Sequence, residues 1–325
     1  WNHPSAQAQY GIAMLESHRL TGDVRYLQIA LRQAVRLAGR ARPYGGALFH
    51  PYDFPVAPHH TAVRTAPWYS AIAQGQVLDF FSRLAAVTGS ASHGTTAAGT
   101  FASFLVPQVA GRPWVAWVQG GHLWLDEYPR CDIALGDRTY NGHSFASFGI
   151  YQYFLRTGDE RARQLVQGAF STTRAVAPQI RNAGWRSAYC LADRADANRY
   201  HPTHTLQNLL IATITGDASF AAVADLFDAD FPDPVVTGTV LIQPGTYRAY
   251  VFDADGGVPA SRLLVAPKLT SAPCSARTKI VNRTGIWYLI SAGTAAGYYL
   301  PERRGSCTCA GPTCPCPTCP TARGD

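Results

Sequence analysis

Three times the chain carries the same three residues at the same kind of place: Thr21-Gly22-Asp23, Thr157-Gly158-Asp159 and Thr215-Gly216-Asp217. Each follows an apolar stretch with helical spacing and precedes another, at 24–37, 161–176 and 218–227. Glycine adopts the left-handed backbone that ends a helix. An aspartate directly after it caps the next helix and suits the positive end of its dipole. A chain punctuated in this way folds back on itself as antiparallel helix pairs. The expected fold class is therefore mainly α, an (α/α) barrel or toroid of helix hairpins over residues 1–232, with an irregular helical bundle as the alternative.

The pattern changes at Pro232-Asp233-Pro234. Strand-like runs follow at Thr239–Ile242, Tyr247–Phe252, Leu263–Val265 and Ile286–Ile290, with Gly and Pro between them. They predict a small β-sandwich-like domain over 233–302. Residues 303–325 hold Cys307, Cys309, Cys314, Cys316 and Cys319 among Pro, Thr and Gly. That tail reads as disordered, or as a soft-metal site, although no histidine is near it. Cys131, Cys190 and Cys274 are scattered and imply no disulfide framework.

Hydrophobic residues make up 47% and charged residues 15%, which describes a filled core. The net charge of +7 is almost all arginine, since Lys268 and Lys279 are the only lysines. Arginine forks onto carboxylates and sulfates, so an acidic ligand fits; a GC-rich genome gives the same composition. No lysine-rich run or zinc-finger spacing points to nucleic acid. No apolar run is long enough for a membrane span. The first residue is Trp1 rather than Met, which reads as a processed fragment.

Within the helical part, Trp68, Ile72, Gln76, Phe80 and Leu84 form a stripe at spacings of four. Gln74-Gly75-Gln76 interrupts it, implying either close helix approach or a polar cavity. The stretch from Tyr44 to Pro55 is aromatic, glycine- and proline-rich, and reads as a loop whose rings either stack on a sugar or pin the loop itself. Residues 113–125 predict an inserted β-hairpin ending at Leu125-Asp126-Glu127-Tyr128-Pro129. Pro129 stops the strand, so a carboxylate and a phenol sit where a strand becomes a loop. The chain has four glutamates, and Glu127 is the one at such a position. It is either an acid/base group or an ion-pair partner of a nearby arginine. A second cluster, Tyr189 and then Arg199-Tyr200-His201-Pro202-Thr203-His204, precedes a helix expected over 205–214. Its two histidines lack an evident acidic third ligand, so no metal is expected there, and N-capping by Thr203 is the plain alternative.

Several of these stretches, in the same order, resemble the catalytic helical domain of D-glucuronyl C5-epimerases. They are Asn2-His3-Pro4 with Ala8-Gln9-Tyr10-Gly11, the run from Trp68 to Gln76, Leu125–Pro129, Tyr140-Asn141-Gly142-His143 through Tyr153, and Tyr200–His204. The likeness spans about residues 1 to 215. It implies C5 epimerisation of D-glucuronate to L-iduronate in a heparosan-like acidic polysaccharide, with no cofactor and no metal. Glu127 and Tyr200 are then the two acid/base groups flanking the ring, and Tyr128 and Tyr189 the donors to the developing charge. Tyr10, Trp68, Gln74, Gln76, Asn141, His201 and His204 are implied in substrate binding. The family has an Asp-Leu-Arg run after the tyrosine matching Tyr189, and its arginine meets the substrate carboxylate. Cys190-Leu191-Ala192 stands there instead, leaving Arg186 or Arg194 as replacements. An enzyme of this kind is expected to be secreted, in the secretory pathway or periplasmic. Two other readings use the same scaffold. A polysaccharide lyase would let the same carbanion expel the C4 group, and a non-catalytic acidic-glycan binder would use only the arginines and aromatic loops. A glycoside hydrolase would need a second carboxylate from Asp126, Asp132 or Asp137.

Overall fold

The computed structural model describes residues 2–58, 62–232 and 235–302. Trp1 and the cysteine-rich tail, with the readings given for them, lie outside the described residues. Eight α-helices are present among the described residues: α1 (Pro4–Thr21), α2 (Val24–Arg40), α3 (Ala71–Thr88), α4 (Ala91–Ala102), α5 (Tyr140–Thr157), α6 (Glu160–Ile180), α7 (His201–Thr215) and α8 (Ala218–Asp230). They form hairpins. α1 packs on α2, α3 on α4 and α5 on α6, while α1, α3, α5 and α7 lie side by side as an inner row.

The repeated tripeptide makes these turns. Gly22, Gly158 and Gly216 have φ of 70°, 67° and 70°. In each turn the Asp carboxylate accepts the amide two residues on, at 2.9 Å. The Asp amide itself donates to the Thr hydroxyl at 3.2 Å. A fourth turn, Thr88-Gly89-Ser90, repeats the geometry with serine in place of aspartate: Gly89 has φ 65° and Ser90 donates to Thr88 Oγ1 at 3.3 Å.

Inner helices are buried on more than one side, so small residues decide how closely they meet. A Cβ on Gly149 would lie 2.0 Å from the Gly75 carbonyl oxygen, and one on Gly75 would lie 2.8 Å from Ala146 Cα. The backbones of α3 and α5 are thus in direct contact there. Leu78, Phe80, Phe81 and Leu84 farther along α3 are fully buried too, each contributing about 1.5–3 kcal/mol by apolar burial.

Several boundaries differ from the sequence expectation. α3 begins at Ala71, because Trp68 pairs its backbone with Tyr52 at 2.9 and 3.2 Å and so stays extended. The supposed loop from Tyr44 opens as a hairpin, β1 (Arg42–Tyr44) and β2 (Ala47–Phe49), turned by Gly45 and Gly46 at φ 58° and 81°. α7 starts at His201, not at 205, because Pro202 fits the first helical turn. Its cap position is Tyr200 rather than Thr203, and it has no side-chain cap bond. The inserted hairpin is β3 (Ala116–Gln119) and β4 (His122–Leu125).

The described residues divide into two compact units, 2–182 with 186–225, and 183–185 with 226–302. In the second, β5 (Val235–Ile242), β6 (Gly245–Val251), β7 (Ala260–Ala266), β8 (Thr270–Thr278), β9 (Trp287–Ile290) and β10 (Tyr299–Pro301) form one antiparallel sheet. Its order is β5-β8-β9-β10-β6-β7. The short β9 and β10 join the β5-β8 and β6-β7 pairs, and Val240, Ala249, Cys274, Tyr288 and Ile290 share one core. Two residues link β5 to β6 and three link β7 to β8, although each pair stands four places apart in this order, so the sheet curls on itself. No disulfide joins Cys131, Cys190 or Cys274 among the described residues, and the Cys190 thiol donates to Asp193 Oδ1 at 2.9 Å. Among the described residues no helix is long and apolar enough to cross a membrane.

Candidate active site

All four inner helices begin at one place. His3 and Ser5 stand at the start of α1, Ser70 and Ile72 at the start of α3, Asn141 in the first turn of α5, and Tyr200 immediately before α7. These residues line a single cavity of about 280 Å³, with Glu127, Tyr128, Trp68, Tyr52 and Gln76 among its other walls. Each helix start turns backbone NH groups and the positive end of a dipole toward the cavity. Among the described residues no Arg or Lys lines it.

Glu127 is placed by the strand and the two helices next to it. Asp126 N donates to Val115 O at 2.8 Å, and the first amide of α3, on Ala71, donates to Asp126 O at 2.8 Å. Leu125 N donates to His143 Nδ1 of α5 at 3.0 Å. The Asp126 carboxylate is fully buried and accepts from the amides of Tyr128, Asp137 and Arg138, each at 3.1 Å, and from Trp117 Nε1 at 3.2 Å. On the other side Arg64 donates through Nε and Nη2 to Tyr128 O at 3.0 and 2.8 Å, and pairs with Asp137 at 2.8 Å. The Glu127-Tyr128 dipeptide is therefore clamped by a buried Asp126–Asp137–Arg64 group. Sequence reasoning missed Arg64, whose surroundings carry no motif. Gly142 closes the back: a Cβ there would lie 2.3 Å from Glu127 Oε2.

Glu127 is 9% exposed, and its carboxylate receives the Tyr189 hydroxyl at 3.1 Å. Burial pushes its pKa from 4.5 up to about 7, helped by Asp126 and Asp137 and opposed by hydrogen bonds from Tyr128 and Tyr189. Burial also raises the phenols of Tyr128 and Tyr189, with the Glu127 charge adding to it. The Tyr189 ring lies 5.2 Å from the Tyr200 ring. One tyrosine thus touches both Glu127 and Tyr200. The guanidinium of Arg199 sits 5.4 Å from the Tyr200 ring centroid.

The remaining sequence candidates divide. Trp68 lines the cavity and stacks on Tyr52 at 4.0 Å. The rings of the aromatic loop pin it, as Tyr52 and Phe54 pack edge to face, and the same two residues line the cavity. Gln76 lines the cavity and accepts from Ser5 Oγ. Asn141 is 1% exposed, and its Oδ1 has no hydrogen-bond partner in the structure. Gln74 is elsewhere, fully buried and bonded to His50 N at 2.8 Å, Leu48 O at 2.8 Å and Ser103 Oγ at 2.7 Å. Gly75 and its two neighbours thus answer the earlier alternative in both ways, with helix contact at Gly75 and a polar cavity at Gln76. Tyr10 is 47% exposed and outside the lining, although its neighbour Gln9 is part of it. Arg186 is bound to Asp196 at 2.6 Å, and Arg194 to the Gln179 carbonyl and to Asn182 Oδ1 at 2.6 Å. Neither lines the cavity. His201 and His204 both meet Ser187 Oγ, at 2.9 and 2.8 Å, and anchor the start of α7 behind Tyr200. Among the described residues no cluster of His, Cys, Asp and Glu could hold a metal. Asp126 and Asp137 are held in the clamp and Asp132 pairs with Arg130 at 3.0 Å, so Glu127 is the one carboxylate lining the cavity among the described residues.

The family profile of the D-glucuronyl C5-epimerase C-terminus matches residues 48–229. Among solved structures, cellobiose 2-epimerase from Bacillus thermoamylovorans is 14% identical with TM-score 0.52, over 82% of this chain and 67% of that one. Cellobiose 2-epimerase from Spirochaeta thermophila is 15% identical with TM-score 0.52, over 91% and 67%. A sugar epimerase from a ruminal bacterium is 12% identical with TM-score 0.51, over 82% and 67%. At such identities these structures carry the fold alone. No curated protein matches. The family supports an enzyme that epimerises a carbohydrate, and with a profile match over more than half its length the chain belongs to the D-glucuronyl C5-epimerase C-terminus family.

Proposed function

We propose that the chain converts D-glucuronate to L-iduronate units within a heparosan-like acidic polysaccharide by cofactor-independent, two-base C5 epimerisation. The observation that carries this reading is the pairing of Glu127 and Tyr200 around Tyr189 on one cavity. In the forward step the Glu127 carboxylate takes the C5 proton from one face, and the electron pair delocalises into the substrate carboxylate. Tyr200 returns a proton to the opposite face. Nothing is oxidised; Glu127 ends protonated and Tyr200 ionised, and a proton exchanged with solvent restores both. A base with a pKa near 7 is half ionised near neutral pH and strong enough to share in the transfer.

Charge growing on the substrate carboxylate needs donors in place beforehand. With no Arg or Lys in the lining, we assign that task to the converging helix starts, to the hydroxyls of Tyr128 and Tyr189 and to Arg199 at Tyr200. Arg199 takes the role first considered for Arg186 and Arg194. In this reading the row of helix hairpins is part of an (α/α) toroid, with the cavity at the end where the inner helices begin.

Incubation with a glucuronate polymer in heavy water tests the reading. Deuterium at C5 in intact chains, with iduronate formed, is the expected result. New ultraviolet absorbance from unsaturated ends would make it a lyase, and binding with no exchange on any uronate polymer would make it a binder.

A further inference from the structure

A second cavity, of about 430 Å³, shares Trp68 with the first. Its walls come from residues 63–69, 111–113 and 129–132. Pro129 is the second residue after Glu127, so this wall begins where the clamped dipeptide ends. Tyr69 and the prolines 67 and 113 give the lining apolar surface, with Trp68 and Pro129 buried in the wall behind, and Arg112 and Arg130 offer guanidinium groups. Arg64 also contributes, but its charge is matched by buried Asp137. The Asp132 carboxylate near Arg130 is 64% exposed, and a pair so open to water is weak and readily exchanged for another anion. Arg112 and Arg130 against Asp132 leave one positive charge in excess. Cys131 lines the cavity too, but burial raises its thiol pKa, which does not suit a nucleophile.

Flat apolar faces beside forked cations suit a ring that carries an anion: C–H faces lie on the rings and prolines, and a carboxylate or sulfate meets the guanidinium groups. We propose that this cavity binds a neighbouring acidic sugar of the same polymer whose reacting unit occupies the first cavity, with Arg112 and Arg130 as its anion contacts. The proposal rests on the reading of the first cavity as a uronate site. It makes the protein a reader of chain length as well as of the reacting unit.

Calorimetric titration of the full chain with glucuronate oligosaccharides of increasing length, from the disaccharide upward, tests it. Affinity is expected to rise with length in the natural protein. In the Arg112→Gln, Arg130→Gln double variant the affinity for longer chains should fall by about tenfold, with disaccharide affinity equal in the two proteins. An Arg112→Lys, Arg130→Lys variant keeps the charge without the fork and should fall between them; it also serves if the first variant unfolds. Affinity that does not grow with length, or grows equally in the double variant, overturns the proposal. So does equal affinity for a neutral glucan or an oligonucleotide of the same length. Measuring C5 exchange on the same samples separates the two ideas. Length-dependent binding lost in the variant, with no exchange in the natural protein, would sink the epimerase reading and leave the subsite standing.

Discussion

Glu127 is a carboxylate held where water scarcely reaches it. Its rise from 4.5 to about 7 means that its ionised form is disfavoured in the fold by about 3 kcal/mol at about 1.4 kcal/mol per pH unit. The sign follows from a folded pKa above the unfolded one: this stabilising contribution is full below 4.5 and is lost as pH rises through 7. Glu127→Gln should therefore raise the melting temperature by a few degrees above pH 7, with little ionisation effect below 4.5. It should also lower epimerisation by about a hundredfold or more. Calorimetry and C5 exchange on one sample check both, and a lower melting temperature with normal epimerisation would make Glu127 an ion-pair residue after all. In the natural protein kcat/KM should climb as pH rises through about 7, as the base ionises. Gly142 bears on the same atom. Gly142→Ala places a methyl 2.3 Å from Oε2, so Glu127 must shift, and a misplaced base costs about a hundredfold. The expected outcome is a large loss in kcat with little change in helix content by circular dichroism.

Among the helices, Gly149 is the position where one methyl costs most. Gly149→Ala would drive a Cβ to 2.0 Å from the Gly75 carbonyl. Overpacking against backbone, which cannot rotate away, should destabilise by at least about 2 kcal/mol, measurable by urea unfolding. The turns were legible because a glycine forced to positive φ followed by Asp has one local meaning, and all three Thr-Gly-Asp copies form it. The fourth, at Gly89, was missed because Ser90 replaces the aspartate and α4 is rich in Ala, Thr and Gly with little apolar stripe. Glu127, Tyr128 and Tyr200 stood out by residue type at a strand end and a helix start. Ser5, Ser70 and the clamping Arg64 did not, since only tertiary packing brings the two serines to the cavity and Arg64 to the backbone of Tyr128. Arg186 and Arg194 were attractive by proximity to Tyr189 in sequence, yet local partners hold them elsewhere. In the β part the strand runs were legible from hydrophobic alternation, but their order in the sheet was not, because alternation does not say which strands pair.

For the molecule as a whole, three buried histidines set an acid limit. Burial lowers His50 and His143 from 6.5 to about 4, and burial with the neighbouring His201 lowers His204 to about 3. Their contribution to stability is full above 6.5 and is lost as pH falls toward 4 and 3, because the unfolded chain takes up protons that the fold refuses. Glu127 works the other way between 7 and 4.5, as do Asp126 and Asp79, which burial also raises, whereas Glu16, Asp23 and Asp159, lowered by hydrogen bonds from arginines, act with the histidines. The melting temperature should fall between pH 7 and pH 4, and a flat profile would contradict neutral burial of these rings.

The four inner helices that start around one cavity have a consequence for how its chemistry can be interrogated. Their field belongs to peptide units, not to side chains, so an alanine scan leaves it untouched and will credit too little of the rate to electrostatics. Only chemical editing of the main chain would expose it. An amide-to-ester exchange at residue 72 or 142, which deletes one NH while keeping the side chain, should slow proton abstraction without altering any residue that a genetic screen would report. Under the proposed mechanism, part of the charge stabilisation would then be written in connectivity, and sequence drift at the cavity rim could proceed while it stays in place.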